Sequence, residues 1–234
     1  MCIIIAKPAG VLMPTPEILK HCSEHNRDGI GIAYTSEGMI KIKKDFNDLK
    51  AFNSFTAKHV TEKESILIHF RIATSGVVDA GNCHPFPLTR RSKRLRAPQS
   101  ITDMAVAHNG TFSDMTGHKK YSDTLLFIKN VLADPIVRNN LHSDAVQELI
   151  KGYINNSKLA IMDRLGNIMR FGTFYAHEGC YYSHGGYKPF ESATRDKLYQ
   201  CNTCFSFCNY ADTTWDYMVQ AWICDKCKTL EDAS

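Results

Sequence analysis

The chain has 234 residues, 44% hydrophobic and 22% charged, with a formal net charge of +4. This balance lies in the ordinary globular range and allows one large domain, or a domain plus an appendage, with a buried core. No apolar stretch approaches the ~20 residues of a membrane-spanning helix, and the N-terminus lacks the pattern of a secretory signal, so a soluble, cytoplasmic protein without a membrane partner is expected. In chain order, residues 2–6 read as a buried strand, and Thr15 caps a helix that begins at Pro16 and runs to His25. Asp28-Gly29 leads into a hairpin of strands 30–34 and 39–42 about Ser36-Glu37-Gly38. Asp45 is expected to cap a helix over 46–58. Residues 65–72 and 101–107 read as strongly apolar strands separated by a long irregular stretch, 121–132 and 143–154 have helical spacing with Pro135 between them, and 159–162 and 167–171 form a second hairpin about Leu165-Gly166. Together these predict a layered α/β or α+β domain ending near residue 190, followed by a cysteine-rich tail.

Nine cysteines without a secretory signal point to metal or catalytic thiols rather than a disulfide framework, and five of them fall in the last 34 residues. Cys201 and Cys204, then Cys224 and Cys227, form two C-x2-C knuckles with nineteen residues between them. Four thiolates so spaced match a closed, tetrahedral, structural Zn2+ site with no open position for chemistry, which suits folding and docking. Cys208 is a spare able to replace one ligand, while Cys22, Cys83 and Cys180 read as core or loop residues. Phe205, Phe207, Tyr210, Trp215, Tyr217 and Trp222 are expected mainly as a small core around the metal. Arg90, Arg91, Lys93, Arg94 and Arg96 put five basic residues within seven positions. The run reads first as a solvated loop and only second as a nucleic-acid contact.

Cys2, taken alone, is one more apolar residue opening a buried strand. If Met1 is removed, however, one residue carries both a thiol and a free α-amine. The amine titrates near ~7.7–8.0 and the thiol near ~8.5, so the amine can take the thiol's proton directly or through a water. Behind Cys2 stand His69-Phe70-Arg71-Ile72-Ala73-Thr74-Ser75-Gly76, then Asn82-Cys83-His84-Pro85-Phe86, His108-Asn109-Gly110 and Ser122-Asp123-Thr124. Each is ordinary loop chemistry by itself: Arg71 a strand-end charge, Asp123 a helix N-terminal charge, Asn109-Gly110 a tight turn. Their order and spacing resemble the class II glutamine amidotransferase domain, an N-terminal nucleophile hydrolase with the hallmarks N-terminal Cys, H-x-R-x-A-T-x-G, H-P, H-N-G and S-D-T. Asn26-Arg27-Asp28-Gly29-Ile30-Gly31 also looks like the family's Asp-Gly element, and the resemblance runs from residue 2 to about 175.

The resemblance implies an α+β fold, a four-layer αββα sandwich over residues 1–192, to which the cysteine spacing adds a zinc-ribbon-like extension over 193–234. It implies hydrolysis of the L-glutamine side-chain amide through a Cys2 thioester, with no cofactor for catalysis. Arg71 would grip the glutamine carboxylate with two parallel charge-assisted bonds, and Asp123 the ammonium. Asn109 and the Gly110 N–H would form the oxyanion hole, and Thr74 and His84 match positions that contact glutamine. Ser75 and Ile72 depart from the His and Trp of many sugar-phosphate-linked relatives. The roughly 40 residues after the core are too few for a synthase domain, so a separate ammonia-accepting synthase or ligase is the expected partner. The alternatives are a related amidohydrolase acting on another amide, and an inactive hydrolase fold that binds nucleic acid or protein.

Overall fold

Ile3 to Ala6 buries every side chain because the strand they open, β1 (Ile3–Lys7), is covered on both faces. Ile3 and Ile5 pack with helices on one side, while Ile4 and Ala6 face a second sheet on the other, as the period of two in a strand requires. The computed structural model describes residues 2–46, 48–73, 77–115, 118–189, 198–204, 206–209, 212–216 and 221–231. The chain divides into two compact units, Met1–Tyr187 and Lys188–Ser234. The boundary expected at 192/193 falls within 190–197, outside the described residues.

The first unit has two antiparallel sheets. After β1 come β2 (Ile30–Ser36), β3 (Met39–Phe46), β4 (Ile66–Phe70), β5 (Phe86–Pro87), β6 (Gln99–Thr102), β7 (Met104–Asn109), β8 (Lys158–Asp163), β9 (Ile168–Phe171), β10 (Tyr175–His177) and β11 (Cys180–Tyr182). Seven strands form one sheet in the order β10-β11-β1-β4-β2-β3-β6, and four form the other in the order β5-β7-β8-β9. Helices α1 (Pro16–His25) and α2 (Leu49–His59) cover the outer face of the larger sheet through Ile18, Leu19, Cys22 and Phe52. Between Phe86 and β6 lies the short α3 (Ser92–Leu95). Helix α4 (Asp123–Phe127), its π-helical continuation Ile128–Leu132, α5 (Pro135–Asn139) and α6 (Asp144–Ile154) follow. Leu125, Phe127, Ile128, Leu132, Ile150 and Ile154 from this group cover the smaller sheet. The sheets meet through Ile4, Ala33, Leu67, Ala105, Ala107, Ala160 and Met162. Small residues on the facing surfaces let the layers approach, with bulkier ones turned to the helices. This is the four-layer αββα arrangement.

Three local expectations need correction. Pairing of Ile30 with Phe46 keeps β3 extended past Asp45, so Asp48, not Asp45, caps the helix, accepting from the Ala51 N–H at 2.7 Å. The stretch 101–107 is not one strand: β6 ends at Thr102 in the larger sheet, and β7 begins at Met104 in the smaller. Thr102 Oγ1 donates to the Met104 carbonyl at 3.1 Å where the chain changes sheets, a corner the continuous apolar pattern conceals. The predicted helix 121–132 relaxes into a π turn after Phe127. The pair β10 and β11, three residues each, was too short for periodicity to reveal.

The second unit contains hairpins β12 (Leu198–Gln200) with β13 (Phe207–Asn209) and β14 (Thr213–Asp216) with β15 (Ala221–Cys224), followed by α7 (Asp225–Glu231).

Candidate active site and metal centre

Antiparallel pairing of Ile3 with Phe70 and of Ile4 with His69 places Cys2 beside the end of β4. The Cys2 Sγ lies 3.2 Å from the Ile72 carbonyl and 3.3 Å from the Ile72 nitrogen, whose N–H donates to it. Burial pushes the thiol pKa up, offset in part by the Ile72 N–H and by the Arg71 charge. A cavity of about 30 Å³ adjoins the thiol, lined by Arg71, His84, Gly110 and Asp123 among others. Of the residues given a catalytic or glutamine-binding role from the sequence, Cys2, Arg71, His84, Gly110 and Asp123 come together here, and Asn109 is not among the lining residues.

Arg71 is buried, and its Nη2 donates to the Val77 carbonyl at 3.1 Å and its Nη1 to the Asp79 carbonyl at 3.5 Å. Asn82 braces the same loop, donating to the carbonyls of Val77 at 3.2 Å and Lys120 at 3.1 Å while accepting from the Ser122 N–H at 3.0 Å. Ser122 caps α4, so Asp123 begins the helix as the sequence suggests. The Asp123 Oδ2 accepts from the Phe112 N–H at 2.7 Å, tying the loop after Gly110 to α4. Burial raises its pKa, opposed by backbone N–H groups of Phe112, Thr124 and Asp123 itself.

His84 lies between two rings, His69 at 4.3 Å and Phe86 at 4.7 Å, with Nδ1 3.0 Å from the His108 carbonyl oxygen. Burial lowers the pKa of His69 and His108 to about 3 and that of His84 well below the usual imidazole value. All three rings are therefore neutral at physiological pH. Gly110 has φ +150°, and a Cβ there would lie 2.1 Å from Ser157 Oγ, so a side chain is excluded twice over.

Asn109 is placed differently from the others. It shares the inward face of β7 with Ala105 and Ala107, and its Nδ2 donates to Ser183 Oγ at 2.9 Å. Ser183, which sequence reasoning missed, also accepts from the Ile4 N–H at 2.9 Å. Its only advance signal is a position just beyond an alternating Cys180-Tyr181-Tyr182 segment too short to recognise as a strand. Thr74 lies outside the described residues.

The basic run is partly built into this architecture. Arg96 pairs with Asp79 at 2.5 Å and donates to the Lys120 carbonyl at 3.1 Å, and Arg94 donates to the Ile101 carbonyl at 2.6 Å. Arg90, Arg91 and Lys93 are exposed.

In the second unit the sulfurs of Cys201, Cys204, Cys224 and Cys227 lie within 4.8 Å of one another, with Cys204 and Cys224 3.8 Å apart. A tetrahedral ion with metal–sulfur bonds of ~2.3 Å sets its sulfurs about 3.8 Å apart, so this donor set fits a metal. The Cys224 N–H, followed by that of Cys204, draws the Cys201 thiol down to about 6, while the neighbouring Cys224 sulfur pushes the Cys227 thiol up to about 12. Cys208 packs against the group without joining it, and its Sγ lies 3.8 Å from the Ser206 carbonyl. Phe205, Tyr210 and Tyr217, and the side chains of Phe207 and Trp215, lie outside the described residues, while Trp222 is partly buried. The expected aromatic core is therefore described only at Trp222.

Residues 18–126 match the family model described as glutamine amidotransferases class-II. This segment is similar to the class II glutamine amidotransferases. It includes Arg71, His84, Asn109, Gly110 and Asp123, and it begins after Cys2. A similar solved structure is the glutamine phosphoribosylpyrophosphate amidotransferase from B. subtilis complexed with ADP and GMP, with 15% identity and a TM-score of 0.48. The similarity covers 78% of this chain and 41% of that one, so the chain spans less than half of that amidotransferase's length. No curated protein matches the chain. Among the described residues, no helix is long and apolar enough to cross a membrane.

Proposed function

We propose that the first unit hydrolyses the side-chain amide of L-glutamine, with Cys2 as nucleophile. The observation that carries this reading is the shared cavity of Cys2, Arg71, Gly110 and Asp123. It pairs a thiol with a fixed cation and a fixed carboxylate, the complement of an amide that carries a zwitterion. The cavity holds about one water, so glutamine enters by displacing its walls.

Removal of Met1 frees the Cys2 α-amine, which takes the thiol proton. The thiolate attacks the amide carbon, forming the carbon–sulfur bond and moving an electron pair to oxygen. Asn109 Nδ2–H and the Gly110 N–H are the donors for that oxyanion. Collapse breaks the carbon–nitrogen bond, and the α-ammonium protonates the departing ammonia. The same amine then takes a proton from water, whose oxygen attacks the thioester and releases glutamate and the thiol. Arg71 holds the α-carboxylate, Asp123 the α-ammonium, and Thr74 and His84 complete the pocket.

Ammonia passes to a separate synthase or ligase, and the cytoplasm is the compartment that suits this chemistry. The four-cysteine centre of the second unit holds Zn2+, favoured by its all-thiolate tetrahedral donors, and stabilises the fold there. Release of equal amounts of glutamate and ammonia from glutamine, lost in Cys2→Ala, tests the reading. A Cys2→Ala protein with undiminished turnover would refute it.

A further inference from the structure

We infer that Ser183 is a positioning residue that fixes the Asn109 amide against the strand carrying the nucleophile. The inference rests on the glutamine-hydrolysis reading above.

The register of β1 with β11, Ile5 against Tyr182, continues to Ile4 against Ser183. There the Ser183 N–H donates to the Ile4 carbonyl at 3.0 Å, as in an ordinary rung. The return bond is unusual, because the Ile4 N–H goes to the Ser183 hydroxyl, at 2.9 Å, instead of the backbone carbonyl. The same oxygen accepts Asn109 Nδ2–H at 2.9 Å. A hydroxyl offers two acceptor lone pairs, and both are used. One atom thereby joins β1 of the larger sheet to the end of β7 in the smaller, two residues from Cys2. Ser183 is 0% exposed and Asn109 5%, so water does not compete for either bond.

The amide NH2 group is planar, so holding one N–H on Ser183 fixes the direction of the other. On the glutamine-hydrolysis reading, that second N–H is the one that would meet the oxyanion formed at Cys2. Arg71 and Asp123 make none of these bonds, so losing the hydroxyl affects the chemical step rather than glutamine binding.

A kinetic cycle over Ser183→Ala, Asn109→Ala and the double variant tests this. Loss of the hydroxyl is expected to lower kcat about 10- to 100-fold, the scale of a misplaced catalytic group, with KM for glutamine unchanged. Ser183→Thr, which keeps the acceptor, restores most of the rate. In the Asn109→Ala background the same substitution changes kcat by less than about twofold, since the group it positions is already gone. Equal fold losses in both backgrounds, or a rise in KM, would overturn the inference. If Ser183→Ala does not fold, Ser183→Cys replaces the oxygen with a weak acceptor and is read by the same cycle. Wild-type protein that does not hydrolyse glutamine overturns both readings, whereas an active wild type with an additive cycle overturns this one alone.

Discussion

The thiol of Cys2 and the backbone of Ile72 hold each other in both directions, Sγ to carbonyl at 3.2 Å and N–H to Sγ at 3.3 Å. The two contacts favour opposite protonation states. The carbonyl accepts from the neutral thiol, while the N–H remains as a donor to a thiolate. Because burial raises the thiol pKa, the resting group is the thiol, and a base is required at the moment of attack. In the proposed mechanism the α-amine that removal of Met1 frees on Cys2 is that base.

Arg96 is the member of the basic run that bears on the site, because Asp79 accepts from Arg96 through its carboxylate and from Arg71 through its carbonyl. Arg96→Leu removes a charge-assisted bond and is expected to cost about 1.5–3 kcal/mol of stability. It also loosens the loop behind Arg71, raising KM for glutamine roughly tenfold with little change in kcat. Exposed Lys93→Ala should stay within about 0.5 kcal/mol of wild type. Urea melts and glutamine kinetics on both variants check this, and equal behaviour of the two would contradict the brace.

Buried imidazoles set an acid limit. His69 and His108 have folded pKa values depressed to about 3, against ~6.5 in the unfolded chain. Between these values the unfolded state binds more protons, so stability rises with pH across that window and is fully present above ~6.5. The urea midpoint should therefore fall steadily from pH 7 toward pH 4, and less steeply in His108→Gln. A midpoint that does not move with acidification contradicts neutral, buried rings.

The metal centre gives a stoichiometric test. Elemental analysis should find one zinc per chain, none in Cys224→Ser and a full equivalent in Cys208→Ser, because Cys208 stands outside the four-sulfur group. Loss of zinc in Cys208→Ser would make that thiol a ligand.

The central strands and the residues around Cys2 were legible because two signals reinforced each other. Alternation placed Ile30–Ser36 and Met39–Phe46 as a hairpin, and Thr15 with Pro16 marked the start of α1. The motif spacing foretold that Arg71, His84, Gly110 and Asp123 would meet at Cys2. The corner at Thr102-Met104 was hidden because apolar residues lie on both sides of it, and Asp48 was masked by Asp45, an equally good cap three residues earlier. Ser183 was out of reach for a different reason. Its role depends on Ile4 and Asn109, 179 and 74 residues away in sequence, and no local pattern encodes that meeting.

Cys2 as nucleophile is tested by the intact mass of the purified protein before and after exposure to a glutamine-mimicking diazoketone, with peptide mapping of the product. With Cys2 as the nucleophile, the chain begins at Cys2 and gains a single adduct on that residue, with labelling blocked by glutamine. A chain that begins at Cys2 and takes no label, or labels elsewhere, would contradict it.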